Sequence, residues 1–341
     1  MIKDLSSYLR KVKKINLRQL ERTVTSKVID SSKKIKTHEI KIRENPAFFS
    51  KARISIKREL RPLEIKRIAP KTMKSKCVFC NPKIGFAGFD PKLKLKPEYH
   101  LNDSVVFSNL YPTGKIHGLI IHTKNHVVDA RQLKIRHWAD SIKLVQKIGK
   151  MSKKKYVSYN VNHGTKAGAS IEHFHGQFHC EDVPLSKTLL SMKLTKKLGG
   201  TSKKWWLGWI KSMLSEGLVL DFDSENKVVM FVEWSPAFGK TEIVVMTMET
   251  SAFQSMSDGE VETVARYLKE ATTITSQKIS EQYNILNLSA SSKDDYCSQF
   301  RIISRAPLSD GTKSWEGYLE FLGETVPHID PKKLVKLAKQ I

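Results

Sequence analysis

The segment from 162 to 179 concentrates side chains that can do chemistry on phosphate groups. It holds one glutamine and four of the eleven histidines of the chain: His163, His173, His175, Gln177 and His179. If the segment is a strand, the row that starts at His173 and ends at His179 lies on one face, because side chains alternate with period two. A neutral imidazole is a good nucleophile towards phosphorus at about pH 7, since its ordinary pKa leaves most of it unprotonated. The row therefore predicts a phosphoryl-transfer site.

A loop of small residues precedes this row. It contains Gly164, Gly168, Ala169 and Ser170, and the backbone N–H groups of such residues can approach a phosphate closely. The Gln177 amide can donate to a phosphoryl oxygen without competing for protons. A backbone carbonyl that accepts from one ring nitrogen of the nucleophile would fix its tautomer. A single histidine here is equally well explained by a structural role, but the full row behind such a loop favours catalysis.

Strand and helix signals alternate around this segment, and they do so twice. The first series predicts strands at 105–112 and 118–123, a helix at 130–151 and a strand at 156–162; the second predicts them at 228–234, 243–247, 258–280 and 283–288. Two pairs of like residues are each 125 positions apart, Gly114 with Gly239 and Asn162 with Asn287. We predict an α+β fold of two related halves, each a mainly antiparallel sheet with helices packed on it. A coincidence of ordinary strand-turn-strand patterning is the alternative.

Basic residues are concentrated at the start of the chain. The formal net charge is +25, and residues 1–76 hold 23 Lys/Arg against 7 Asp/Glu, or +16, which leaves +9 for the rest. Apolar residues between Leu5 and Val28 recur at helical spacing and predict one or two basic amphipathic helices. From Ser31 to Lys76 we expect an extended arm. A nucleic-acid arm, a helix on a membrane surface and a transit peptide are alternatives to simple packing on the body of the protein.

Cysteine usage and hydropathy indicate the kind of protein. Four cysteines in 341 residues do not resemble the disulfide framework of a secreted domain. Two of them form a Cys77-x-x-Cys80 pair, which is half of a zinc set or an incidental pair of thiols. The apolar runs are well short of the ~20 residues that span a bilayer, and no signal-peptide stretch follows Met1. We expect a cytoplasmic protein without a membrane association.

Several motifs together resemble a known family. The segment His173-Phe-His175-Gly-Gln177 is similar to the His-x-His-x-Gln signature of the transferase branch of the histidine-triad superfamily, and its flanks resemble the galactose-1-phosphate uridylyltransferases. The other matching segments are Asn162…Gly168-Ala-Ser170, Cys77-Val-Phe-Cys80, Phe107-Ser-Asn109-Leu-Tyr-Pro, Thr123-Lys-Asn-His126 and Gly317-Tyr-Leu-Glu320. They follow the family's order from about Arg61 to the end of the chain.

The resemblance implies a ping-pong transfer of uridylate between UDP-glucose and a hexose 1-phosphate, with His175 as the nucleophile. Gln177 and the loop at 168–170 would hold the phosphoryl oxygens, and Asn162 would position that loop or touch phosphate. Phe107 and Asn109 would face uracil and ribose, and Glu320 would line the hexose pocket. The covalent uridylyl-histidine splits one difficult displacement into two easier ones.

The resemblance also implies a metal and an assembly. Cys77, Cys80, His126 and His173 would form a Cys₂His₂ set for one structural zinc ion. The expected organisation is a basic, partly helical N-terminal arm at 1–65, a first histidine-triad-like half at 66–200 and a degenerate second half at 201–341. A homodimer with composite sites is expected, in which Arg58 or Arg61 would reach the nucleotide of the partner.

Some positions depart from the family pattern and leave alternatives open. Phe174 replaces the usual proline, Val326 replaces a glutamine of the sugar pocket, and no histidine occurs at 295–303, so we expect no second metal. His179 is an addition, expected at a strand end near phosphate. The same nucleophile would also suit a dinucleoside polyphosphate phosphorylase or adenylyltransferase. A nucleic-acid-binding or end-processing protein is a further alternative that we disfavour, because the basic arm has few aromatic residues.

Overall fold

The computed structural model describes residues 2–29, 35–55, 77–80, 88–89, 93–110, 112–305, 323–327 and 329–341. In this part the chain forms six α-helices: α1 (Ile2–Tyr8), α2 (Ile135–Ser152), α3 (Ser186–Gly199), α4 (Ser202–Ser215), α5 (Asp258–Lys278) and α6 (Pro331–Ala338). None of the helices described combines the length and the apolar character that crossing a bilayer requires.

Ten strands form one large sheet and four form a smaller one. The large sheet contains β4 (Glu98–Leu101), β5 (Ser104–Ser108), β6 (His117–Ile121), β7 (Tyr156–His163), β8 (His175–Glu181), β9 (Val219–Asp223), β10 (Val228–Val232), β11 (Glu242–Thr247), β12 (Tyr283–Leu288) and β13 (Gln299–Ser304). The small sheet contains β1 (Glu21–Ile29), β2 (Ile35–Asn45), β3 (Ser50–Ser55) and β14 (Glu324–Thr325).

The large sheet is built from two equivalent halves. Its strand order is β4-β5-β6-β8-β7-β12-β13-β11-β10-β9, so each half runs from its edge to the centre in the same internal order. In both halves one long helix separates the outer three strands from the inner two, α2 in the first half and α5 in the second. The halves join where β7 and β12 pair antiparallel, with Asn162 opposite Asn284. The predicted α+β fold of two related halves is confirmed.

The two faces of the first half are packed differently. Val106, Ile120 and Phe178 belong to the main core, which α2 enters with Trp138 and Ile142. Because neighbouring side chains on a strand point to opposite faces, the residues between them lie on the other face. There a small cluster forms from Val105, Phe107, Leu119 and Ile121 with Cys77 and Phe79. The short 77–80 segment thus covers the strands that carry the histidine row.

The predicted helices near the start of the chain are correct only for residues 2–8. The stretch from Glu21 to Ile29 is strand β1, paired antiparallel with β2, where helix was expected as far as Val28. Thr23, Val24 and Thr25 explain the difference, since β-branched side chains favour a strand. The extended arm expected after Ser31 contains β2 and β3, which are extended but paired in the small sheet.

Residues 2–20 pack on the second half. Leu5 and Leu9 are fully buried in the main core, and the Ser212 hydroxyl accepts from the N–H of Ile15 and lies 2.7 Å from its carbonyl oxygen. Gly208 of α4 permits this approach, because a Cβ there would lie 2.7 Å from the carbonyl oxygen of Lys13. This part of the predicted arm is therefore packed on the body of the protein. The domain division at 65 and 200 stays a prediction.

Candidate functional site

His175 is the first residue of β8 and has one nitrogen committed to the backbone. Its Nδ1 lies 2.8 Å from the carbonyl oxygen of His173, so Nδ1–H donates and the lone pair remains on Nε2. Burial lowers the pKa of His175, while this hydrogen bond opposes part of the shift. The side chain is 5% exposed and the Phe79 ring lies 5.0 Å away. The imidazole is thus neutral at neutral pH, with Nε2 as its nucleophilic atom.

The register of β8 sets the rest of the row. His175, Gln177 and His179 stand opposite Ile121, Leu119 and His117 of β6, so these three β8 side chains share one face as predicted. His173 lies before the strand, and its ring is directed to the cysteine pair.

Four side chains form a group suited to a metal. The sulfurs of Cys77 and Cys80 and one nitrogen each of His126 and His173 lie within 4.8 Å of one another. The Cys80 Sγ is 3.2 Å from His126 Nδ1 and 3.4 Å from His173 Nδ1, and the Cys77 Sγ is 3.6 Å from His173 Nδ1. Zinc bound tetrahedrally at its usual bond lengths would separate sulfur and nitrogen by about 3.6 Å. Burial lowers the pKa of His173 to about 4, so its ring is unprotonated. The donors present fit a zinc ion.

His117 holds the amide of Gln177. The His117 Nε2 lies 2.9 Å from Gln177 Oε1, and its Nδ1 accepts from the backbone N–H of Thr113 at 3.1 Å. On the other side the His117 ring stacks on His179, with 4.1 Å between the ring centroids. Burial lowers the pKa of His179 to about 4, so it is neutral as well. His117 was not identified from the sequence, because only the pairing of β6 with β8 brings it to the row.

Asn162 is held by a residue of the second half. Its Oδ1 accepts from Asn284 Nδ2 at 2.7 Å, and the same Nδ2 donates to the carbonyl oxygen of Ala167 at 2.8 Å. Arg305 donates to the oxygen of the Asn284 side chain. The Asn162 oxygen is thus occupied and its NH₂ group lies beside Gly168, where a Cβ would be 3.7 Å from the nitrogen. The sequence gave no signal for Asn284 or Arg305, which lie more than 120 positions away from Asn162.

The small-residue loop is shaped by two glycines with positive φ. Gly164 and Gly168 both have φ +86°, a conformation that glycine adopts without strain. Between them a 3₁₀ turn spans Thr165–Ala167. The N–H groups of Gly168 and Ala169 donate to Thr165 and Gly164, so the predicted phosphate contact through these two N–H groups is not offered by this conformation. Binding by the loop, including Ser170, stays a prediction.

The structure places the remaining predicted binding residues differently from one another. Phe107 is fully buried and packs edge-to-face on Phe79 with 6.4 Å between centroids, so in this conformation it is a packing residue and offers no open ring to a base. Asn109 is half-buried, and its side-chain nitrogen lies 3.3 Å from His117 Nε2. Glu320 and the two arginines expected to cross a dimer, Arg58 and Arg61, lie outside the described residues.

A further histidine was not assigned a role from the sequence. His163 ends β7 and packs its ring on Phe174 and Tyr283, at 5.4 and 4.6 Å between centroids. Burial lowers the pKa of His163 to about 4, although the nearby Asp129 opposes the shift. Phe174 in the place of the usual proline is therefore part of an aromatic contact below the nucleophile.

Comparison with known proteins places this geometry in context. Residues 96–179 match the HIT domain family model. An uncharacterized protein of Archaeoglobus fulgidus is 31% identical over 113 residues, which are 32% of this chain and 34% of that protein. The chain thus spans about a third of the length of this curated relative.

Solved structures resemble the chain over most of its length. An ADP-glucose phosphorylase from Arabidopsis thaliana with bound ADP-glucose has a TM-score of 0.64 at 18% identity, covering 88% of this chain and 98% of that one. A galT-like protein from the same plant has a TM-score of 0.63 at 16% identity, with the same coverage. A uridylyltransferase has a TM-score of 0.59 at 15% identity, covering 88% and 97%. The resemblance predicted from the sequence is confirmed: the chain carries a HIT domain at residues 96–179 within the fold of the galT-like structures.

Proposed function

We propose that the chain is a nucleotidyltransferase that forms a covalent nucleotidyl intermediate on His175. The observation that carries the proposal is the hydrogen bond from His175 Nδ1 to the His173 carbonyl, which leaves the Nε2 lone pair for attack. The lowered pKa of His175, caused first by burial, supports it because an unprotonated imidazole is required.

Both steps balance without an additional reactant. In the first, the Nε2 lone pair of His175 bonds to the α-phosphorus of the donor, and the bond to the bridging oxygen breaks, so that the sugar phosphate leaves with that electron pair. In the second, a phosphate oxygen of the acceptor bonds to the same phosphorus and the electron pair returns to Nε2. The proton on Nδ1 stays with the His173 carbonyl throughout and helps to stabilise the positive charge of the intermediate's ring.

Gln177 and Asn162 are proposed to stabilise the reacting phosphate. Each amide has its oxygen occupied, by His117 and by Asn284, so each presents its NH₂ group as a donor. Donors that are oriented before the reaction stabilise developing charge without reorganisation.

For the substrates, we propose UDP-glucose as the donor and a hexose 1-phosphate, galactose 1-phosphate in the first instance, as the acceptor. The similarity of the 162–177 motif to the uridylyltransferases supports this choice, and so does the shared fold with a uridylyltransferase structure. A second candidate is the transfer of adenylate from ADP-glucose or a dinucleotide to inorganic phosphate. The observation in its favour is that an ADP-glucose phosphorylase shares the same fold.

We propose that Cys77, Cys80, His126 and His173 bind one zinc ion. A closed set of four protein ligands has no position for substrate, so the ion would supply structural stability. By fixing His173, this group would also fix the carbonyl that orients His175.

The test is to incubate the protein with UDP-glucose, ADP-glucose or diadenosine tetraphosphate and to measure the mass added to the peptide that contains His175. Uridylate on this peptide, its absence in His175→Ala and its persistence in His100→Ala are expected. His100 is an exposed histidine of β4 and serves as the matched control. Adenylate instead of uridylate would favour the second candidate, and no adduct from any donor would refute the nucleotidyltransferase. Light scattering on the same sample tests the expected homodimer.

A further inference from the structure

We infer that His117 is a positioning residue that sets the direction of the Gln177 amide, so that its NH₂ group and not its oxygen faces the reacting phosphate. The inference rests on the proposed function. Its starting point is a buried imidazole, 4% exposed, one strand away from the nucleophile and with no part in the steps described above.

The hydrogen bonds of His117 determine its tautomer. A backbone N–H can only donate, so the Thr113 N–H at 3.1 Å requires that His117 Nδ1 carries no proton. In the neutral ring the proton is then on Nε2. That nitrogen lies 2.9 Å from Gln177 Oε1, and Nε2–H therefore donates to the amide oxygen.

The tautomer of His117 in turn determines the orientation of Gln177. The two ends of a carboxamide have almost the same shape, and only hydrogen bonding distinguishes them. Because His117 offers a donor, the oxygen of Gln177 is held towards β6 and the NH₂ group is directed away from it. The other orientation would bring two N–H groups together and would present an oxygen to the negative phosphate.

The surroundings of the ring prevent it from turning over. The carbonyl of His117 accepts from the N–H of Asn109 at 2.8 Å, and the ring stacks on His179 with an interplanar angle of 18°. The Thr113 hydroxyl lies 3.2 Å from His117 Nδ1 and 3.0 Å from His179 Nε2. The Asn109 amide also borders His117 Nε2, and this proton requires that the amide turns its oxygen to the ring.

A purely structural role for His117 makes a different prediction. If the ring only fills space, an apolar residue of similar size should preserve the rate and a polar one should bring no benefit. If the ring orients Gln177, a donor at the same place should restore the rate, and the effect should depend on Gln177 being present. His117→Leu and His117→Gln separate these two cases, because the terminal NH₂ of glutamine can replace Nε2–H.

The experiment measures the rate constant for nucleotide attachment to His175 at saturating nucleotide sugar, together with KM, bound zinc and Tm. We expect His117→Leu to slow the step by about tenfold to a hundredfold, which is less than the loss of a whole donor, with KM and zinc changed little. His117→Gln should recover to within about threefold of wild type. In a Gln177→Ala background, His117→Leu should change the rate by less than about twofold.

Three results would overturn the inference: wild-type rate in His117→Leu, no recovery in His117→Gln, or an equal loss with and without Gln177. If His117→Leu does not fold, ¹⁵N spectra of the histidine-labelled wild type decide the matter, because the inference requires the proton of His117 on Nε2 and fails if it is on Nδ1. Absence of any adduct in the wild type would instead refute the proposed function, and the spectra would still report the tautomer.

Discussion

Two neutral imidazoles on neighbouring strands carry their protons on opposite nitrogens. His175 donates from Nδ1 to a backbone carbonyl, which leaves Nε2 bare, whereas His117 accepts at Nδ1, which leaves a proton on Nε2. The difference comes only from which backbone group each ring meets, a carbonyl or an N–H. One residue type thus serves as a nucleophile in one place and as a hydrogen-bond donor in the other.

The two histidines of the 173–175 segment should respond differently to substitution. His173→Ala removes a proposed ligand and should lower bound zinc and the free energy of unfolding, because structural zinc sites contribute about 10–16 kcal/mol in small folded peptides. His175→Ala should abolish nucleotide attachment and leave zinc and unfolding unchanged. Metal analysis and chemical denaturation of both variants provide the test; loss of zinc in both would contradict the assigned division of roles.

At the level of elements, the loop at 164–170 is held from across the centre of the sheet. Gln282 accepts from the N–H of Lys166 at 2.8 Å, and Asn284 bonds both Asn162 and the carbonyl of Ala167. The position of the loop therefore depends on the start of β12, a strand of the other half. The pairing of β7 with β12 is what aligns the two.

Asn284→Asp should disturb this loop at nearly constant size. The substitution keeps the oxygen that accepts from Arg305 but replaces the NH₂ group by an oxygen that faces Asn162 Oδ1 and the Ala167 carbonyl. We expect nucleotide attachment to slow about tenfold or more, since a buried unsatisfied group costs about 1–3 kcal/mol. Kinetics at varied nucleotide sugar, with zinc content as the control, tests this. An unchanged rate would remove Asn284 from the site.

The sequence predicts elements where the local pattern and the long-range packing agree. The alternation of His175, Gln177 and His179 sufficed to place them on one face of a strand. Register between distant strands has no such local signal, so His117 and Asn284 were missed. Near the start of the chain, helical spacing of apolar residues competed with the β-branched run Thr23-Val24-Thr25, and pairing with β2 decided the outcome.

At the scale of the whole molecule, the halves have the same strand order but different central residues. In the second half β13 takes the place that β8 has in the first, and it carries Arg301 between Glu233 and Glu242, all three fully buried. The guanidinium lies 4.6 Å from the ring centre of Phe48 and 5.8 Å from that of Trp206. This half closes its centre with an ion-pair network where the first half carries the histidine row.

Arg301→Met should therefore destabilise the protein strongly. It leaves two carboxylates buried without their cation, and breaking such a buried network costs about 3–5 kcal/mol. The matched control is Arg266→Met, which removes an arginine whose side chain is 41% exposed and pairs with Asp221 and Asp223; about 1 kcal/mol or less is expected there. Urea denaturation measures both. Equal effects would contradict a structural role for the network.

Acid should weaken the folded state through His163. Its pKa is about 4 in the folded state, lowered first by burial, and about 6.5 in the unfolded chain. Above about pH 6.5 this contribution to stability is fully present, and it decreases as the pH falls towards 4, because the unfolded state then binds the proton. His163→Asn should give a shallower fall of unfolding free energy between pH 6.5 and 4. A parallel pH profile in zinc-saturated variant and wild type would contradict this.

The packing of residues 2–20 has a consequence for the order of folding. Ile15 and its partner Ser212 are 197 positions apart, so the first segment made by the ribosome finds its place only after more than half of the chain has followed. Contacts of such high sequence separation are slow to close. We expect the first half to reach its native packing earlier, and the docking of Leu5 and Leu9 to complete the second half in a late step.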